Sequence, residues 1–222
     1  MRKVRLYFKG LWNRFVDSSF VTHISFLWHW KNFFFLLRYP FYKVYDRWNG
    51  KFLGYSYIEY DSIPEGWRKA FGKQLSDDIK KAGKESRRRL GYKSWKEMII
   101  WTQIKEKWGE LRMYASCTEE IRHVLDKYEY MSYGYCINCG RPARYKTRGW
   151  ISFQCEECFQ KDLSRYVDDN ERYRVLDECR LTKDDIPQGV RYSVNKQGKI
   201  LKHKINYKRI YGIDLKELWG IK

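Results

Sequence analysis

The sequence predicts an α+β fold, in which a small antiparallel sheet packs with helices beside a module that contains four cysteines. Three observations support this prediction: apolar residues recur at helical spacing in several segments, alternating residues flank a glycine in a central stretch, and two C-x2-C pairs follow. The predicted order is helix, strand, helix, hairpin and helix, and segregated elements of this kind favour an α+β layer of modest size.

Composition and charge limit the class of protein. The chain has 222 residues, of which 43% are hydrophobic and 18% aromatic, so it has the means to bury a core and is not wholly disordered. Its net charge is +18, which we count as +7 for residues 1–60, +4 for residues 61–188 and +7 for residues 189–222. This excess predicts an anionic partner, namely nucleic acid, an anionic membrane or a protein with an acidic groove.

The N-terminal segment predicts a helix from about residue 20 to Arg38. Apolar residues such as Phe26, Trp30 and Phe33 recur there at helical spacing, and the pair Tyr39–Pro40 ends the run. Polar residues interrupt the apolar stretch before it reaches the length of a membrane span, so we expect a helix that packs in the core or, as the alternative, against a partner or a membrane surface.

The next stretch predicts a strand followed by a long helix. Residues 51–61 alternate, with Leu53, Tyr55 and Tyr57 on one face, and Ser62 and Glu65 have the spacing of a capping box. The apolar stripe of the helix steps by four residues and is formed by Trp67, Phe71, Leu75 and Ile79.

Residues 99–132 predict a hairpin and a further helix. On the first strand Ile100, Thr102 and Ile104 share a face, Gly109 lies in the connection, and Thr118 begins the helix. Further along, residues 159–181 predict one or two helices, and a turn at Lys196 to Lys199 is followed by a short last helix.

The cysteines predict a structural metal site. Cys136 and Cys139 form one C-x2-C pair, Cys155 and Cys158 form the second, and such pairs place four thiolates around Zn²⁺. Gly140 suits the turn of the first pair, and the second pair leads into a helix, as in treble-clef zinc fingers. Since four thiolates fill the coordination sphere, we expect the zinc to be structural and not catalytic.

Basic residues surround this module. Exposed cations and an aromatic face on a rigid loop are suited to phosphates and bases, so we expect the loop between the cysteine pairs, the end of the long helix and the C-terminal tail to contact nucleic acid. The predicted contacts are Arg87, Arg88, Arg89, Arg141, Arg144, Lys146, Arg148, Trp150, Lys202, Lys204, Lys208 and Arg209.

The sequence contains no pattern that we recognise as catalytic. It lacks a P-loop, G-x-S-x-G and H-E-x-x-H, and no histidine lies in the four-cysteine module. Adjacent acids occur as the pairs Asp77/Asp78, Asp168/Asp169 and Asp184/Asp185. Neighbouring acids on a helix point apart, so we interpret them as solvated faces and predict a protein that is not an enzyme.

Three stretches together carry a resemblance to a known group of proteins. "IPEGWRKAFGKQL", "QIKEKWGELRMY" and "YCINCGRPARYKTRGWISFQCEEC" follow in this order, and the chain resembles over residues 50–165 a family of largely uncharacterised zinc-finger proteins of bacteriophages and prophages. The resemblance implies an accessory factor that acts on host machinery, such as an anti-CRISPR or other counter-defence protein. It implies little about chemistry.

These observations lead to one favoured function and three alternatives. The favoured one is a non-enzymatic protein of the bacterial host cytoplasm that binds nucleic acid or a host ribonucleoprotein, such as a CRISPR effector, and inhibits a defence nuclease. The alternatives are a general DNA- or RNA-binding phage factor, a metal-dependent nuclease with an unrecognised carboxylate site, and a peripheral membrane protein. We divide the chain into an aromatic, basic segment (1–50), an α+β core (51–134), the zinc module with its helix (135–182) and a basic extension (183–222).

Overall fold

The computed structural model describes residues 26–46, 48–166, 169–194 and 199–221. The chain forms two compact units, which divide between Asp61 and Ser62. The structure confirms the α+β class, with helices and two-stranded antiparallel sheets. The described α-helices are α1 Phe26–Arg38, α2 Glu65–Trp67, α3 Lys73–Leu90, α4 Trp95–Met98, α5 Glu119–Ser132, α6 Glu156–Tyr166, α7 Asp169–Cys179, α8 Tyr207–Tyr211 and α9 Leu215–Trp219. The described strands pair as β1 Ile99–Lys107 with β2 Glu110–Cys117, β3 Tyr145–Lys146 with β4 Phe153–Gln154, and β5 Val190–Val194 with β6 Ile200–Lys204.

The first unit is held together by aromatic rings. Phe35 of α1 packs on Tyr42 and Tyr60 at centroid distances of 5.8 and 4.6 Å. The buried Asn32 donates from Nδ2 to the Tyr55 carbonyl at 2.7 Å. These contacts extend the unit to residue 61 and past the boundary that we predicted after residue 50. Among the helices that the structure describes, none has both the length and the apolar character that crossing a bilayer requires.

The strand predicted over residues 51–61 is wrong. That stretch makes only an isolated bridge between Tyr45 and Phe52 and then a 3-10 helix at Glu59–Ser62. Gly54 has a φ of +95°, a backbone conformation outside the extended region of a strand. The aromatic residues of the stretch therefore pack in a loop instead of pairing along a sheet.

The long helix after residue 62 is confirmed, although it changes pitch. A π-helical turn at Arg68–Gly72 joins α2 to α3, and Trp67, Phe71, Leu75 and Ile79 are all buried as predicted. The predicted capping box is wrong, because Pro64 occupies the N-cap position and no side chain caps the helix there. A left-handed Gly91 ends α3.

The hairpin is confirmed, but the residues that face the core on its first strand differ from those predicted. Trp108 and Gly109 form its two-residue turn, both with positive φ. Ile104 is buried but Ile100 is 58% exposed, so the predicted shared face is wrong. The pairing register shifts between Trp101 and Gln103, and such a bulge reverses which residues point inward.

Helix α5 covers the outer edge of strand β2. The backbone N–H of Leu111 donates to Ser132 Oγ at 2.9 Å, and that of Met113 donates to Glu129 Oε1 at 2.6 Å. Arg122 donates from Nη2 to the Ala115 carbonyl at 2.7 Å. Side chains of one helix thus satisfy an edge that would otherwise expose backbone groups.

The C-terminal helices belong to the core of the second unit. Leu215 and Trp219 are buried in one hydrophobic cluster with Tyr130, Ala143 and Phe153. Trp219 also donates from Nε1 to the Tyr133 carbonyl at 3.0 Å. This packing crosses the boundaries predicted after residues 134 and 182. Strands β5 and β6 form the predicted hairpin, and most of its turn, residues 195–198, lies outside the described residues.

Candidate metal centre

The four predicted ligand cysteines lie together. The Sγ atoms of Cys136, Cys139, Cys155 and Cys158 are all within 4.8 Å of one another, and none of the four forms a disulfide. Cys136 and Cys155 are buried, and the other two are partly buried. Sequence spacing alone therefore identified a real cluster of sulfur atoms.

A tight turn presents the first pair. The Cys136 N–H donates to the Arg141 carbonyl at 2.7 Å, and the Gly140 N–H donates to the Cys136 carbonyl at 2.9 Å. Gly140 has a φ of +82°, and a Cβ at this position would lie 2.4 Å from the Gly66 carbonyl oxygen. Both the backbone angle and the close approach require glycine here.

The second pair stands at the start of helix α6. Cys155 immediately precedes the helix, and its carbonyl accepts the Phe159 N–H at 3.0 Å. Cys158 lies in the first turn, and burial together with the neighbouring Cys136 raises the pKa of its thiol. Between the pairs, the short strands β3 and β4 join the turn to the helix. The order of turn, hairpin and helix is the one predicted for a treble-clef-like module.

Arg141 adds positive charge beside the sulfur atoms. It donates from Nε to Cys139 Sγ at 3.5 Å and holds Glu157 with two guanidinium nitrogens, one of them at 2.5 Å. Burial raises the pKa of the Cys139 thiol, but hydrogen bonds from the Arg141 side chain and backbone outweigh it and lower the pKa to about 6. The thiolate that a metal requires is therefore favoured at this position.

The donor set fits a tetrahedral metal ion. Zn–S bonds of about 2.3 Å place the sulfur atoms of a tetrahedron about 3.8 Å apart. The Sγ atoms of Cys139 and Cys155 are 3.4 Å apart, and every pair of the four Sγ atoms lies within 4.8 Å. Four sulfur ligands are typical of structural zinc and leave no coordination position for a catalytic water.

The other two recognised stretches pack against this module. In "IPEGW", the Gly66 N–H donates to the Ile137 carbonyl at 3.0 Å, and Trp67 donates from Nε1 to the Tyr135 carbonyl at 3.2 Å. In the hairpin, a Cβ on Gly109 would lie 2.9 Å from the ring of Phe153, which leads into the second cysteine pair. The three motifs therefore form one packed assembly around the four cysteines.

The cations of the loop between the cysteine pairs have partners within the protein. Arg144 donates from Nη1 to the Leu218 carbonyl at 2.7 Å, beside the end of α9. Lys146 pairs with Asp185 at 3.3 Å, and Arg148 pairs with Glu178 at 2.7 Å. With Arg141 held by Glu157, these four charges secure the loop to neighbouring helices. Trp150 is 81% exposed.

The remaining predicted contacts fall into two groups. Arg88 and Arg89 pair with Glu85 and Glu120 at 3.9 and 2.5 Å, and Lys208 pairs with Asp214 at 2.6 Å. The exposed residues of this set for which the structure gives no ion pair are Arg87, Lys202, Lys204 and Arg209. Their role in binding stays a prediction.

The acidic pairs make separate contacts. Asp77 binds Lys73 at 2.6 Å, whereas Asp78 accepts from Lys127 at 2.9 Å and from the Tyr128 hydroxyl at 2.8 Å. Asp185 caps the turn at Thr182. Asp168 and the side chain of Asp169 lie outside the described part of the chain. Over the described residues, the only group of three or more metal-binding side chains is the four cysteines.

One feature of this region, an exposed tryptophan at the hairpin tip, was not predicted. Trp108 at the hairpin tip is 75% exposed, and it lines a cleft of about 490 Å³ together with Lys105, Lys107 and Trp150. A tryptophan at the first position of a two-residue turn was the signal available in the sequence, since asparagine, aspartate or glycine usually stands there.

Comparison with known proteins adds no relative: no family model matches the chain, and neither a curated protein nor a solved structure matches it.

Proposed function

We propose that the four cysteines hold a structural Zn²⁺ and that the chain is a non-enzymatic protein that binds nucleic acid, free or within a host ribonucleoprotein. The closed sulfur set supports the structural role, because all four positions of a tetrahedral ion are taken by the protein. The central position of the cysteines supports it too, since the backbone of the "IPEGW" stretch bonds directly to the first pair.

The observation that carries nucleic-acid binding is a basic segment whose own sequence contains no acidic residue. Residues 186–213 contain seven lysines and arginines and no aspartate or glutamate. Within this stretch β5 pairs with β6, and Lys202 and Lys204 of β6 are exposed. A two-stranded ribbon fits the major groove of a duplex, and unneutralised lysines bind phosphates by releasing counterions.

The target class follows from the sequence resemblance. A basic phage-type protein that occupies the nucleic acid, or the nucleic-acid groove, of a host ribonucleoprotein would inhibit a defence nuclease in the bacterial cytoplasm. Electrostatic complementarity would supply fast association with such a groove.

The test measures binding of labelled duplex and single-stranded oligonucleotides over a range of salt concentrations. Exchange of both Lys202 and Lys204 for glutamate is expected to weaken binding at least tenfold and to reduce the salt slope by about two. The control exchanges Lys84 and Lys161, exposed lysines of α3 and α6, for glutamate and carries the same net charge. Equal loss in both variants would mean that only net charge matters and would contradict the proposed surface.

Two further readouts separate the other functions. Capture of one effector protein or guide RNA that persists after nuclease treatment would identify a ribonucleoprotein target. Mg²⁺-dependent cutting of the labelled strand, abolished by a carboxylate variant, would establish a nuclease and refute the non-enzymatic proposal.

A further inference from the structure

Two exposed tryptophans share one cleft beside the metal centre. Trp108 stands at the tip of the β1–β2 hairpin and Trp150 in the loop between β3 and β4, and their side chains are 75% and 81% exposed. Both line the same cleft of about 490 Å³, with Lys105, Lys107 and Ile151. Large aromatic side chains left in water at one place indicate a surface for a ligand.

Trp108 also has a strained backbone conformation. Its φ of +58° is the one positive value among the described residues other than glycine. The left-handed conformation costs a residue with a Cβ about 1–2 kcal/mol, and asparagine or glycine would fill the position with less strain. An exposed and strained tryptophan contributes little to folding, and strain of this kind concentrates at functional sites.

Hydrogen bonds hold the two backbone segments that carry Trp108 and Trp150. Glu106 accepts the Gly109 N–H at 2.7 Å, which holds the hairpin turn. Thr147 donates from its hydroxyl to the Trp150 carbonyl at 2.5 Å and accepts the Ser152 N–H at 2.7 Å, which closes the loop. A ligand would therefore meet rings on a backbone that is already in place, with little loss of entropy on binding.

The charge of the cleft selects among occupants. Lys105 and Lys107 line it, and the one acid among the described residues of its wall, Glu106, accepts a hydrogen bond from the hairpin turn. Cations beside exposed indole rings match a polymer that has both phosphates and flat bases. An apolar peptide would gain nothing from the lysines.

From this geometry we infer that the cleft binds single-stranded nucleic acid, with bases stacked on Trp108 and Trp150 and phosphates near Lys105 and Lys107. The inference rests on the proposed nucleic-acid binding and assigns to it a second surface, distinct in residues from the β5–β6 hairpin. Because a duplex keeps its base faces stacked, this cleft discriminates in favour of single strands.

The experiment measures fluorescence anisotropy of labelled twelve-nucleotide oligo(dT) and oligo(U), and of a duplex of equal length, with the full chain loaded with zinc. Trp108→Asn creates a favoured turn sequence with Gly109, so it retains the fold. Trp150→Ala removes an exposed ring. Each variant is expected to bind single strands about 5- to 150-fold more weakly, which corresponds to about 1–3 kcal/mol per stacked base.

Controls make the outcomes distinct. Trp48, which is 97% exposed and belongs to the other unit, provides the matched variant Trp48→Ala, which is expected to bind like the parent chain. Duplex binding is expected to stay within twofold in every tryptophan variant.

If Trp108→Asn and Trp150→Ala bound single strands with the affinity of the parent chain, the inference that the cleft binds single-stranded nucleic acid would be overturned. If the lysine variants of β6 still lose binding, the proposed function stands without it. No binding of any nucleic acid by the parent chain would refute both. Loss of self-association in the two variants, without loss of nucleic-acid binding, would instead identify the cleft as a contact between copies of the chain.

Discussion

Replacement of Gly66 by alanine tests whether the "IPEGW" stretch and the metal centre form one assembly. An added Cβ would lie 2.3 Å from the carbonyl oxygens of both Cys136 and Ile137. Both atoms belong to the backbone of the turn that presents the first cysteine pair, so neither can move aside as a flexible side chain would. The turn must shift, or the helix must separate from it.

The cost follows from three contributions. Displacement breaks the hydrogen bond from the Gly66 N–H to the Ile137 carbonyl, worth about 1 kcal/mol. Overpacking costs about 1–3 kcal/mol, and the better helix propensity of alanine returns at most about 1 kcal/mol. A net loss of about 2 kcal/mol would lower the Tm by about 4–8 °C for a unit of this size.

The assay combines thermal unfolding with zinc release to a chromogenic chelator below the Tm. Because metal binding and folding are coupled, Gly66→Ala is expected to release zinc at a lower chelator concentration than the parent chain. Gly91→Ala is the control, because Gly91 has a φ of +73° and no atom of the described residues lies within 4 Å of an added Cβ. Its free energy of unfolding is expected to fall by about 1 kcal/mol, with zinc release unchanged. Parent-like Tm and zinc release in Gly66→Ala would refute the coupling of the two motifs.

Three further changes have definite expected results. Cys136→Ser should reduce zinc content, measured by elemental analysis, and unfold the second unit; unchanged zinc content would disprove the ligand assignment. Burial raises the pKa of Glu129 from 4.5 to about 7, so the cost of ionising it is absent below about pH 4.5 and grows as the pH rises through 7. Glu129→Gln retains an acceptor for the Met113 N–H. Measured by urea unfolding, its free energy of unfolding relative to that of the parent chain should rise by about 3 kcal/mol between pH 4.5 and 8. The same pH dependence of stability in both proteins would contradict this. Arg144→Ala should lower the free energy of unfolding by about 1–3 kcal/mol, because Arg144 donates to the Leu218 carbonyl. Its affinity for nucleic acid should not change. A loss of affinity without a loss of stability would instead identify Arg144 as a nucleic-acid contact.

Local sequence patterns predicted the elements that depend on neighbouring residues or on a strongly periodic apolar stripe. The stripe from Trp67 to Ile79 is buried because residues four apart share a helix face, whatever else surrounds the helix. The four cysteines meet because each C-x2-C spacing fits one tight turn. Gly109 marked the hairpin because a two-residue turn requires positive φ.

Local patterns failed where distant contacts decide the backbone. The alternation of residues 51–61 is typical of a strand, yet those aromatics pack on Phe33 and Phe35 of α1 in a loop. Ile100 lies on the other face because a bulge shifts the register of β1, and residues 99–103 contain no glycine that would have indicated a bulge.

The sequence by itself determined the four-sulfur site, the helix and hairpin that pack on it, and the excess of positive charge, because spacing and composition are properties of the chain. Only the tertiary structure decided which charges remain available to a ligand. Arg141, Arg148 and Arg144 are neutralised or fixed by residues 16, 30 and 74 positions later in the chain, and no local pattern reveals such pairs. The fold likewise brings Trp108 and Trp150 to one cleft, because a close glycine contact joins the hairpin tip to the metal module.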